Sequence, residues 1–484
     1  MGNEPNQVFD VVVIGAGIVG AMLLRELSRF DCKLAVLDRY PQPGFGVTKS
    51  SLSYIHRNHF HPPGTLAAIL CAGAGRSFRK MSDELGVGYR ETGEFLLALE
   101  PKHIPQMMKR KEWGERNGEK GFQKMKGCDV LREEPRINPS VLSAVYSHGH
   151  GMIHPPEWAF ALIENARRNG ASAFFDSEVT GIVRDCDGLF TIETTSGSVR
   201  SRFIINAAGT GAGRIASMIG DNNIELTLSR GTFAIFDKIH SSLVHNILYV
   251  GGLDLSCSQV LGPTVSGNLI LGLGRFKTPD SATDTKVTRE ALDEIIAMGK
   301  EIIPDIPVND VIAFFSGIKL VSNLAKNGDF YIGQSEHTRR VIHLLISSPG
   351  ITASPGIARY VIDLLANEGI RLVEKKRFQP SEPRKVSFSD ADWEQRASIL
   401  SKERKYGHII CRCENVTELE IQNAIKRGAH TIDGIKHLTR AGMGRCQGGF
   451  CEGRIIRFLS EALGIEPTMV TKKGRGSEQI KGME

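Results

Sequence analysis

Four of the nine cysteines fall in one stretch, "CRCENVTELEIQNAIKRGAHTIDGIKHLTRAGMGRCQGGFC", from Cys411 to Cys451. Cys411 and Cys413 stand one residue apart, Gln-Gly-Gly-Phe separates Cys446 from Cys451, and 32 residues lie between the pairs. Four thiolates can ligate zinc or an iron–sulfur cluster. Zinc knuckles usually pair cysteines two to four residues apart at both ends, which the Cys411–Cys413 spacing does not match. Gly442, Gly444, Gly448 and Gly449 relieve crowding where backbone must wrap a centre and turn N–H groups toward sulfur. "TELEIQNAIKRG" and "TIDGIKHLTRAG" between the pairs read as short helices capped by Thr417 and Thr431. They return the chain so that the late pair can meet the early one. Glu420 has no basic residue four positions on, so helix pairing adds little there. Cys32, Cys71, Cys128, Cys186 and Cys257 are scattered and read as small buried or surface residues.

A second chemistry sits at the N-terminus. Gly15, Gly17 and Gly20 form GxGxxG directly after the apolar run "FDVVVI". Gly15 permits the tight turn, Gly17 lets backbone approach a pyrophosphate, and Gly20 lets the helix pack on the strand. With Ile18 and Val19 at the helix start, phosphates would rest on unpaired N–H groups and the positive end of the helix. Asp38 ends the next strand, "KLAVLD", 18 residues after Gly20, where it can accept from a ribose hydroxyl. His56, His59 and His61 fall within six residues. They lie in an irregular segment with no carboxylate close in sequence, which argues against a metal.

The elements that must hold these residues can be read from pattern. Strands are expected over 9–14, 33–38, 94–100, within 189–209, over 267–274 and 341–347, and helices over 18–30, 155–170 and 353–369. The fold class is α/β, a Rossmann-like dinucleotide domain with an interleaved antiparallel-sheet (α+β) substrate part. Dinucleotide-binding segments are expected at about 1–75, 150–220 and 335–370, and substrate segments at about 76–149 and 221–334. Residues 101–127 read as a surface helical insertion without nameable chemistry. A charged, proline-containing linker covers 371–405, a small helical cysteine domain 406–465, and a frayed tail 466–484.

Bulk numbers narrow the class. Sixty basic and 54 acidic residues leave a net charge of +6, which argues against nucleic acid and mildly favours small anionic substrates. The longest apolar run, Val11–Leu24, is 14 residues and broken by glycines. A spanning helix needs roughly 20, so no transmembrane segment is expected. "MGNEPNQ" lacks the order of an export signal, which places the thiols in a reducing cytoplasm. Any membrane association would be made through a partner.

Three further segments carry a family resemblance. "FIINAAGTGAG" (203–213) is a strand ending in a small-residue turn, "SSPGITASPGIARYVIDLL" (347–365) a third turn leading into a helix, and "KSSLSYIHRNHFHPPGTLAAILCAGAG" spans 49–75. Together they resemble the FAD enzymes of the D-amino-acid-oxidase-like superfamily, which includes glycerol-3-phosphate dehydrogenases and 2-hydroxyglutarate oxidases. The resemblance implies FAD, with Ser50, Ser51, Val179, Ala208, Gly209, Gly350, Ile351 and Thr352 among its contacts. It implies a flavin-side His56, orienting cofactor or substrate or acting as base. In "FFSGIKLVSN" it places Lys319 where relatives carry an anion-binding arginine, a departure because lysine lacks the bidentate fork. Arg275, in "LGLGRF", lies in another stretch that lines substrates in such folds. "TRAGMGRCQGGFC" resembles the bacterioferritin-associated-ferredoxin-like 2Fe–2S domain, in the form fused to anaerobic glycerol-3-phosphate dehydrogenases and opine oxidases. The two resemblances together imply a dehydrogenase passing electrons from reduced FAD through a 2Fe–2S cluster, held by Cys411, Cys413, Cys446 and Cys451. The acceptor would be a second flavoprotein subunit or a carrier. The expected substrate is sn-glycerol 3-phosphate. Alternatives are a 2-hydroxy acid such as L-2-hydroxyglutarate, an opine or amino acid, or an electron-transfer subunit with no substrate of its own.

Overall fold

A computed structural model describes residues 7–250, 259–272, 278–382 and 387–480. Its first sheet grows from Val8–Ile14, in which Val11, Val12 and Val13 are fully buried. Both faces of a parallel strand are covered in such folds, so a continuous β-branched run suits it. Leu34–Leu37 pairs on one side and Gly197–Asn206 on the other, both parallel, with Val12 opposite Ala35 and Ile204. Ser172–Phe174 and the strands Val341–Leu345 and Tyr331–Gln334 extend the sheet outward. Helices Ile18–Leu27, Pro155–Arg168 and Gly350–Asn367 contribute Met22, Leu23, Trp158 and Ile357 to the core on one face. The hairpin Val179–Arg184/Phe190–Thr194 contributes to the opposite core with Phe190 and Ile192.

A second sheet of nine strands contains Tyr54–Ile55, Tyr89–Ala98, Ser143–Ile153, Leu226–Phe236 and Val311–Ser322. Along Tyr89–Ala98 the period of two sorts side chains between faces. Phe95 and Leu97 join the core with Ile295 and Ile302 of helix Arg289–Ile302, while Leu96 and Ala98 join Met107, Phe122 and Tyr249. The interleaved α/β plan is thus present, strand for strand in its main elements.

Two expectations change. Residues 101–127 include helix His103–Arg116 and strand Gln123–Lys126, but Met107 and Arg110 are buried against the second sheet. The stretch is therefore part of the core and not a surface addition. The tail is also tied down: Ile432 N donates to Thr471 O (3.1 Å) and Asp433 N to Lys472 O (2.8 Å). Residues 371–382 are pinned as well, since the amides of Asn165 and Asn169 both donate to Gln379 O. Residues 393–402 form a helix closed by an Asp392–Gln395 capping box.

Beyond it, strands Ile409–Cys411 and Val416–Thr417 pair, and helices Glu418–Lys426, Ile432–Thr439 and Glu452–Leu463 enclose Ile421, Ile435, Ile455 and Leu459. Thr417 and Thr431 cap the first two of these helices as expected. Glu420 closes a capping box with Thr417 and accepts from Phe388 N (3.0 Å), a role that its missing helix partner did not suggest.

Candidate active site and cluster site

One cleft runs from Asp38 and Arg39 at the sheet's C-terminal edge to Phe60 and His61, in the irregular segment after Tyr54–Ile55, and to Tyr249 and Lys319 on the second sheet. At its near end Gly15 adopts φ +109°, and a Cβ there would sit 2.4 Å from Ala207 O. A Cβ on Gly20 would sit 1.9 Å from Gly15 O, so helix and strand meet with no room for a side chain. Gly17 caps helix Ile18–Leu27 and leaves its start open to the cleft. Asp38 accepts from Ala16 N (2.6 Å) and Tyr40 N (2.9 Å), and burial pushes its carboxyl up to about 6 against those two N–H groups. Thr48 Oγ1 accepts from Ile18 N (2.9 Å), fixing the following loop onto the helix start.

Ile18, Val19, Ser50, Ser51, Val179, Ala208 and Gly209 all line the same cleft, as do Gly350, Ile351 and Thr352 at the start of helix Gly350–Asn367. Thr352 Oγ1 also accepts from His56 N (3.4 Å). The long channel, its helix N-termini and its glycine cradle fit a dinucleotide carrying a flavin. Two buried polar atoms on its walls, Ser347 Oγ and His56 Nε2, find no protein partner and fit the same group. Arg275 lies outside the described residues.

His56 Nδ1 lies 3.3 Å from Arg57 O. A carbonyl only accepts, so Nδ1 carries the hydrogen and Nε2 the lone pair. Burial, then the neighbouring His59 and His61, hold the ring well below the ordinary histidine range, and it is neutral near pH 7. Lys319 lies on Val311–Ser322 opposite Ser229 and lines the same end of the cleft. That strand can come so close because a Cβ on Gly317 would sit 2.0 Å from Ser50 O.

Behind His56 the fold assembles groups that sequence spacing hides. Fully buried Glu94 accepts from the Tyr54 hydroxyl, which also lies 2.6 Å from His150 Nδ1. His59 Nε2 is 3.0 Å from Glu94 Oε1. His59, Glu94 and His150 bring ligand atoms within 4.8 Å of one another, so a carboxylate does stand beside the histidine segment. The Tyr54 hydroxyl lies between Glu94 and His150, and buried Arg110 is within electrostatic reach of Glu94, an arrangement unfavourable to a dication. Arg110 stacks over Phe60 and Tyr249 and donates to the Tyr249 hydroxyl (2.9 Å). In sequence Arg110 is one cation among many. Glu94 gives a faint signal as an acid heading an apolar run.

The four cysteines converge. Cys413 and Cys446 Sγ are 3.6 Å apart, while the Cys411 and Cys451 thiols are hydrogen-bonded to each other. Cys411 is drawn down to about 6 by the Cys451 thiol and by the Gly442 and Glu414 N–H groups, against burial. Its partner Cys451 is pushed up by that same hydrogen bond. Gly444 is required here, since its Cβ would lie 2.3 Å from Cys413 Cβ. Four free thiols around backbone donors form a donor set suited to a cluster.

Residues 10–364 match the FAD dependent oxidoreductase family, and residues 409–461 match the BFD-like 2Fe–2S binding domain. The chain belongs to that oxidoreductase family, and its cofactors are FAD and a 2Fe–2S cluster. It is 33% identical to a glycerol 3-phosphate dehydrogenase of Caloramator mitchellensis over 98% of both chains. It is 24% identical to the mitochondrial L-2-hydroxyglutarate dehydrogenase of Bos taurus, over 73% of this chain and 88% of that one. Its fold is that of the FAD-bound L-α-glycerophosphate oxidase of Mycoplasma pneumoniae, with a TM-score of 0.72 and 21% identity over 78% and 99% of the two chains.

Proposed function

We propose that the chain oxidises sn-glycerol 3-phosphate to dihydroxyacetone phosphate and sends the electrons through the 2Fe–2S cluster to a partner protein or carrier. The observation that carries this reading is a cleft with a neutral His56, its Nε2 unpartnered, at the same end as the Lys319 cation. The full-length likeness to the Caloramator dehydrogenase supports the substrate. Bound flavin supplies the two-electron oxidising chemistry, and the protein supplies binding, orientation and proton handling. Lys319 offers its ammonium to the substrate anion as a point charge. His56 Nε2 takes the proton of the carbinol hydroxyl as the adjacent C–H is oxidised. Cys411, Cys413, Cys446 and Cys451 hold the cluster, and Ser50, Ser51 and the start of helix Gly350–Asn367 hold the flavin end of the cofactor.

Anaerobic mixing of the holoprotein with glycerol 3-phosphate, L-2-hydroxyglutarate and amino acids in turn tests this through loss of flavin absorbance. Rapid bleaching by glycerol 3-phosphate alone is the expected result. Bleaching by L-2-hydroxyglutarate instead would move the assignment to the 2-hydroxy acids, the second reading that the Bos taurus relative supports. His56→Asn should slow bleaching by roughly 10²–10⁴-fold with flavin content unchanged, the range for a lost general base.

A further inference from the structure

We propose that electrons cross from the flavin cleft to the cluster through the packed rings of Phe45 and His437. This rests on the two cofactors already assigned to the chain and not on the identity of the substrate. Phe45 is 4% exposed and directly precedes Gly46, Val47 and Thr48, which line the cleft. Its loop is tied to the glycine turn by Gly44 N donating to Ala16 O (2.9 Å). The ring of His437, on helix Ile432–Thr439, stands edge-on to Phe45 at 5.4 Å between centroids, with His154 at 5.9 Å from the same imidazole.

Both ring nitrogens of His437 are buried without a protein hydrogen-bond partner. A buried polar ring left unsatisfied costs stability, so hydrogen bonding does not account for a ring at this seam. The helix that carries it is clamped to the first body at a second point. Thr431 Oγ1 donates to Gln42 Oε1 (3.0 Å), and a Cβ on Gly434 would lie 1.8 Å from that oxygen.

On the far side the path is short. His437 stands two residues before the helix ends at Thr439, and Arg440, in the left-handed conformation, and Ala441 follow directly. Arg440 Nε donates to Glu414 Oε2 (2.8 Å) beside Cys413, and the Gly442 N–H serves Cys411. The remaining described contacts between the bodies include the ion pairs Arg427–Glu164, Arg445–Asp237 and Lys238–Glu414. Among the described ring–ring contacts, those that join the two bodies are both made by His437. Tunnelling decays less steeply through close-packed matter than across water or a void, which favours this buried ring contact as the path. Each crossing moves one electron from reduced flavin to oxidised cluster. The two flavin electrons leave in two crossings, the cluster being emptied between them by an external one-electron acceptor, and the flavin protons pass to water.

The test bypasses the substrate. Holoprotein is reduced at the flavin by light with EDTA as donor, anaerobically and with no external acceptor, and arrival of the first electron at the cluster is followed by rapid-freeze EPR. His437→Ala should slow flavin-to-cluster transfer well below the native rate, with flavin content, cluster spectrum and both reduction potentials as in the native protein. His437→Phe, which refills the space, should restore most of the rate. Native transfer in His437→Ala, or His437→Phe as slow as His437→Ala, overturns the route. Should His437→Ala lose its cluster, Phe45→Ala decides by the same criterion. Native protein in which flavin reduces but the cluster never does overturns the route and internal electron transfer together, whatever the substrate proves to be.

Discussion

The flavin cleft and the cysteine domain both bury titratable groups, yet their charge states go opposite ways. In the cleft burial comes first, holding His56 and His59 well below the ordinary range, His61 at about 4 and His150 at about 3. In the cysteine domain burial also opposes charge, but at Cys411 and Cys446 hydrogen bonds from a partner thiol and from N–H groups outweigh it, while Cys413 and Cys451 stay raised. Burial raises Cys446, while the Phe450 and Gly448 N–H groups and the Cys413 thiol bring it down overall, as Cys411 is brought down to about 6. What separates the two regions is the supply of donors, a neighbouring thiol together with backbone N–H groups. The cleft keeps neutral bases ready for a proton. The cysteine loop has donors in place for thiolates before any iron binds.

If the two regions are independent modules, the sharpest break comes from removing one thiol. Cys446→Ser should abolish the visible absorbance and EPR signal of the cluster. Flavin bleaching by glycerol 3-phosphate should continue at the native rate, because none of the partners described for Cys446 lines the cleft. Loss of bleaching in that variant would show that the cysteine domain shapes the cleft, and the modular comparison would fail.

The cleft side is broken by its buried charges. Glu94 and Arg110 are both fully buried and within electrostatic reach of each other. Each belongs to a buried polar network, so Glu94→Gln and Arg110→Met should each cost roughly 1–3 kcal/mol in urea unfolding. The double variant should recover about 1–3 kcal/mol relative to the sum. Strict additivity would mean that the two do not compensate each other.

A smaller effect comes from His61, whose titration burial lowers from the ordinary 6.5 to about 4. The unfolded chain binds that proton more readily, so its contribution is complete above pH 6.5 and lost as pH falls toward 4. The full span is about 3 kcal/mol. Urea midpoints at pH 7 and 4.5 should converge in His61→Gln, and an unchanged pH slope would remove His61 from the account.

This contrast also explains what the sequence could disclose. The glycine turn and the cysteine pairs are legible because local backbone geometry constrains them: Gly15 and Gly20 leave no room for a Cβ, and Gly444 lies against Cys413. The main strands are legible because Val11–Val13 and Val341–Leu345 are buried apolar runs. His56 and Lys319 were accessible by resemblance. Glu94, Arg110 and Tyr249 were hidden because the second sheet brings together residues 94, 110 and 249, and no local pattern records that meeting. His437 and Phe45 were hidden for the same reason, being 392 positions apart in the chain.

The smallest prediction tests how local the cysteine side is. Thr417 closes a capping box with Glu420, its side chain accepting from Glu420 N while the Glu420 carboxylate accepts from Thr417 N (2.9 Å). The preceding Val416 pairs with Cys411 across the two-stranded sheet. Thr417→Ala removes the hydroxyl and should cost about 1 kcal/mol, with Thr417→Ser close to native. Because the ligand strand is anchored beside that cap, Thr417→Ala should also release iron to a chelator faster, while the flavin stays bound at native occupancy. Equal iron release in Thr417→Ala and native protein would place the stability of the ligand loop in its glycine turns and not in the helix that comes after Cys413.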